Sequence, residues 1–100
     1  MSKVVVLFEQ PGMTYKEYDA ICDELRKRNK LVNEDRVAHV SFERDEKFCV
    51  VDVWISEESM KKFVETALMP ASMKLGLIPI QPVILPAHSW IGLAEEIILS

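Results

Sequence analysis

Glycine is scarce in this chain. Gly12, Gly76 and Gly92 stand far apart in 100 residues, so neither a P-loop nor a dinucleotide fingerprint can be assembled. No Gly-x-Ser-x-Gly elbow is present, which removes the hydrolase nucleophile turn. The two cysteines, Cys22 and Cys49, are unclustered and form no Cys-x-x-Cys motif, so a structural zinc site is not expected and both read as buried free thiols. Two histidines without an acidic cluster around them give no catalytic metal set. Basic residues are outnumbered, 12 against 16 acidic ones, for a net charge of −4; phosphate neutralisation needs the opposite balance, and nucleic acid is not an expected partner. No apolar run reaches membrane-spanning length, and Val4 to Phe8 is too short for the core of a signal peptide and is followed by Glu9. The expectation is a soluble cytoplasmic protein with no membrane partner and no cofactor.

What is present is enough apolar material for one packed domain. Half of the chain, 49%, is hydrophobic, and a domain of this length buries about two-thirds of the surface its unfolded chain exposes. A first strand runs from Lys3 to about Glu9 and stops at Pro11-Gly12. Thr14-Tyr15-Lys16-Glu17 is a capping box, and Tyr15, Tyr18, Ile21, Cys22 and Leu25 come after it at helical spacing. The tyrosines read as packing residues of that helix, with hydroxyls able to reach a cavity. The basic cluster from Arg26 to Lys30 suits a solvated helix C-terminus. A second helix starts after Ser56, with Glu57 and Glu58 in its first turn. Pro70 should kink or restart it, and Gly76 should cap the helix that continues beyond Pro70. Val83 to Ile91 reads as the last strand, with Pro86 implying an edge or a bulge. The apolar tail from residue 92 to residue 100 is expected to pack on its own domain, residues 1–91, or on a partner chain.

Between the helices lie two strand-like runs, Arg36 to Arg44 and Lys47 to Ile55, joined by Asp45-Glu46. A two-residue hairpin would pair Arg44 with Lys47 and, counting back, His39 with Asp52. An imidazole then stands opposite a carboxylate, close enough to interact. One side of the hairpin carries Ala38, Val40, Phe42, Cys49, Val51 and Val53, all apolar; the other carries Val37, His39, Ser41, Val50, Asp52 and Trp54. The element order β-α-β-β-α-β is the ferredoxin-like plan: a four-stranded antiparallel sheet with two helices on one face. With the apolar side taken as core, the His39 side is expected on the bare face, joined from the last strand by His88 and Trp90.

The segments Phe8-Glu9-Gln10-Pro11-Gly12-Met13-Thr14 with Tyr18, Val50-Val51-Asp52-Val53-Trp54 leading into Ser56-Glu57-Glu58, and His88-Ser89-Trp90 resemble the dimeric α/β-barrel superfamily. That superfamily includes the antibiotic-biosynthesis-type monooxygenases, and the chain is most similar to its uncharacterised branch. The resemblance spans Lys3 to Ile91. It implies a homodimer whose open sheet faces meet, and a pocket in each subunit between sheet and helices. It also implies oxidation of an electron-rich aromatic without metal or flavin. The haem-degrading branch relies on an Asn, a Trp and a His; here no Asn precedes Asn29, a departure from that pattern.

His39 with Asp52 is the candidate catalytic pair, the carboxylate orienting an imidazole that acts as base. The alternative is a hydrogen-bonded pair that merely satisfies two polar groups. Trp54, His88, Trp90 and Ser41 are the candidate substrate-binding residues; the tryptophans serve equally well as core or interface. Two functions are consistent with these residues. One is a cofactor-independent monooxygenase or isomerase acting on a small aromatic or polyketide-like molecule. The other is a non-catalytic dimer, ligand-binding or stress-associated, that holds a small apolar molecule.

Overall fold

Alternating β-branched and aromatic residues build the sheet, in a computed structural model that describes residues 3–91 and, as backbone, 96–98. The elements are β1 (Val4–Pro11), α1 (Tyr15–Lys27), β2 (Arg36–Arg44), β3 (Lys47–Trp54), α2 (Glu57–Phe63), a π-helical turn (Val64–Leu68), α3 (Met69–Lys74), β4 (Val83–Pro86), β5 (Ser89–Ile91) and β6 (Glu96–Ile98). The main sheet is antiparallel in the order β2-β3-β1-β4, the ferredoxin-like arrangement expected from the element order.

The local signals act as their residues imply. The Thr14 hydroxyl accepts from Glu17 N–H at 3.2 Å, and the Glu17 carboxylate accepts from Thr14 N–H at 3.0 Å, closing the capping box. At the far end of α1, Asn29 turns left-handed (φ 58°), with Asn29 N–H on Arg26 O and Lys30 N–H on Leu25 O. Gly76 (φ +72°) does the same after α3. Pro70 has no N–H to offer the Thr66 carbonyl, and the helix passes this point by widening: Met69 N–H reaches back five residues to Val64 O before α3 restarts.

The hairpin is the expected one. Asp45 and Glu46 both take positive φ, 52° and 61°, as a primed two-residue turn requires, and the register pairs His39 with Asp52. It ends in a bulge between Arg36 and Ala38, so that Arg36 rather than Val37 stands opposite Trp54. The last strand departs from the expectation. Instead of one strand from Val83 to Ile91, β4 stops at Pro86 on the sheet edge, and Ala87 N–H makes the final bond, to Lys3 O. With no N–H on Pro86 and β1 already ended, β5 pairs with β6 instead. Leu93 and Leu99 of the apolar tail lie outside the described residues.

The face assignment is the main correction. The helices cover the side that carries His39, Asp52 and Trp54, and leave bare the side that carries Val40, Val51 and Leu85. Val6 and Trp54 are sealed beneath the helices together with Met60, Phe63, Ala67 and Ala71. Val40, Phe42, Val83 and Leu85 are exposed instead. Alternation shows which residues share a face, not which face the helices choose. Trp54, the largest side chain of the hairpin, goes to the covered side with Phe48, while Phe42 stays on the bare one.

Candidate functional site

Between the sheet and α1, α2 and α3 lies a cavity of about 710 Å³, within the roughly 300–1,000 Å³ of small-molecule sites. Its wall is mostly apolar, with Phe8, Phe48, Phe63 and Leu68 among its residues. Into it project Tyr18 from α1, Arg36 and His39 from β2, Asp52 and Trp54 from β3, and Ser72 from α3.

Three polar side chains from three elements form one chain. Asp52 is buried; its Oδ1 lies 2.5 Å from His39 Nδ1, and its Oδ2 accepts a longer bond, 3.4 Å, from Trp54 Nε1–H. The carboxylate accepts, so Nδ1 carries the proton and Nε2 is left as an acceptor. Tyr18 supplies the donor, its hydroxyl 2.5 Å from His39 Nε2. The Tyr18 ring is fixed by stacking on Phe48, with centroids 4.6 Å apart. The helical stripe of α1 and the pleat of β2 bring these groups together across 21 residues of sequence.

The Tyr18 phenol is pushed up to about 12, chiefly by burial, with Ser41 opposing. One turn on, burial likewise raises the Cys22 thiol. Both effects keep the groups neutral, so the hydroxyl can donate to His39 and is not an independent phenolate. His39 is at the cavity rim, its side chain 28% exposed.

Of the residues singled out from sequence, His39, Asp52 and Trp54 converge on the cavity. Ser41 neighbours Tyr18 and is not part of the wall. His88 is exposed and Trp90 half-buried, and neither lines the cavity. Sequence reasoning misses two wall residues as functional groups. Tyr18 reads as packing, yet its hydroxyl is the polar atom of a helical stripe that needs a partner. Period 2 places Arg36 opposite to His39, and the bulge reverses that. A third missed residue, Ser72, is fully buried, and its Oγ has no hydrogen-bond partner among the described residues. No group of three or more His, Cys, Asp or Glu that could hold a metal occurs among the described residues.

The fold has solved counterparts. It matches SnoaB, a cofactor-independent oxygenase from Streptomyces nogalater, with a TM-score of 0.60 at 10% identity, over 95% of this chain and all of that one. It also matches a conserved protein from Methanosarcina mazei Go1, with a TM-score of 0.56 at 11% identity, over 87% of this chain and 92% of that one. Neither a family model nor a curated protein matches the sequence.

Proposed function

We propose that the cavity binds a small aromatic molecule and that Asp52, His39 and Tyr18 act on it as an acid–base chain, in a cofactor-independent monooxygenase or isomerase. The observation that carries this reading is the unbroken hydrogen-bonded line from a buried carboxylate to a hydroxyl on the wall of an apolar cavity. A substrate hydroxyl would give its proton to Tyr18 as the Tyr18 proton passes to His39 Nε2, and Asp52 would hold the resulting imidazolium. For a naphthol-type substrate, dioxygen would then be the oxidant. One oxygen atom would end in the quinone and the other in water, with all four electrons drawn from the ring. The fold shared with an oxygenase supports the same reading.

A second reading is a non-catalytic small-ligand carrier, ligand-binding or stress-associated. It is favoured by one observation: both His39 nitrogens are already occupied by partners within the protein. Oxygen uptake with 1-naphthol and related phenols separates the two. The catalytic reading expects His39→Ala and Tyr18→Phe each to lower turnover by about 10²–10⁴-fold while the proteins still melt cooperatively. Saturable binding of these phenols by the wild type without oxygen uptake or isomerisation would leave the carrier.

We propose also that two copies associate through the bare sheet face. No helix among the described residues is long and apolar enough to cross a membrane, and both cysteines are free, which suits a cytoplasmic setting.

A further inference from the structure

The bulge at Val37 turns Arg36 onto the covered face, where its guanidinium stands 5.7 Å from the centre of the Trp54 ring and 5.2 Å from that of Phe63. Both lie inside the roughly 6 Å over which a ring quadrupole attracts a cation. One of its five donors is used: Nη2–H gives a 2.5 Å bond to Leu31 O. Among the described residues no carboxylate oxygen lies within 4.0 Å of it. The acids nearest the same wall are otherwise engaged. Asp52 accepts from His39 and Trp54, Asp23 pairs with Arg26, and Asp19 faces solvent. A half-buried cation laid on two aromatic rings at an apolar cavity, with its planar fork unmatched, is poorly served by the protein alone. A bidentate oxyanion suits it best.

We propose that Arg36 is the anion-recognition residue of this cavity and that the ligand is an aromatic acid, its flat body among the apolar residues and its carboxylate in the Arg36 fork. The Tyr18 hydroxyl shares the cavity and feels the Arg36 charge, so one ring-sized molecule can meet both. The inference rests on the cavity being a ligand site but not on any turnover there.

The test is fluorescence titration of 2-naphthoate against 2-naphthamide, which has nearly the same shape and no charge, at neutral pH. The wild type should bind the naphthoate about tenfold tighter or more. Arg36→Gln should erase that preference by weakening naphthoate far more than the amide, and residual amide binding also reports a folded cavity. Arg36→Lys, which keeps the charge without the fork, should retain part of the preference. Equal affinities in the wild type, or an Arg36→Gln variant that weakens both probes alike, would overturn the assignment. Failure of both probes to bind would instead sink the ligand-site reading beneath it. The wild-type comparison decides even if the Gln variant does not fold.

Discussion

The sheet has two faces, and each carries what the other would be expected to have. Under the helices the row His39–Asp52–Val6–Ile84 crosses all four strands, with two ionisable groups in it. One residue along, on the bare side, the row Val40–Val51–Leu7–Val83 crosses the same strands with none. The next bare row, Ala38–Val53–Val5–Leu85, is also wholly apolar. Ionisable groups in a covered row and two adjoining uncovered rows without any are both costly for an isolated chain. The two anomalies point to different occupants: a ligand on one side and a second protein surface on the other.

The largest effect should come from spoiling the bare face. If two copies meet there, the wild type scatters light as twice the 11.5 kDa chain. Val40→Asp with Leu85→Asp would put a charge into each apolar row and should give the single-chain mass with the helix side intact. A wild type already at the single-chain mass would break the comparison, because the apolar rows would then be tolerated in water.

The two faces also mark what the sequence can and cannot convey. The capping box at Thr14, the Ser56 cap, the Asp45-Glu46 turn and the Gly76 stop are decided within a few residues, and each is legible. His39 opposite Asp52 comes from counting back along the hairpin. The side on which that pair sits is a tertiary choice, and the rule that the apolar side is the core leads the wrong way. A better cue is Trp54: a buried indole N–H wants an acceptor, and Asp52 two residues away on the same face provides one. The Val37 bulge carries no glycine or proline to announce it, so the inward turn of Arg36 cannot be read.

A smaller effect concerns what holds the cover in place. Glu24 is buried on α1 and joins Arg28, at 2.8 Å, to Lys74 of α3, at 3.2 Å. The Arg28 hydrogen bond holds its carboxyl below the ordinary value of 4.5; burial opposes this and Lys74 assists. The unfolded chain therefore takes up this proton first as pH falls, so the contribution is complete above about 4.5 and is lost as pH drops through the lower folded value. Glu24→Gln should melt earlier than the wild type near neutrality, with the two curves converging in acid. A constant gap across the whole pH range would assign the loss to packing instead.

The smallest expected change is at Ser72, where the covered face holds a polar atom that its own side chains do not satisfy. An unpaired buried hydroxyl costs on the order of 1 kcal/mol or more, so Ser72→Ala should raise the melting temperature. A gain of that size is about 4–8 °C for a domain of this length. If the hydroxyl serves a ligand, the same variant should bind 2-naphthamide more weakly while being more stable, a split that packing alone does not produce. A Ser72→Ala variant that gains stability with no loss of probe affinity would confine the ligand's polar contacts to the Tyr18 and Arg36 side of the cavity.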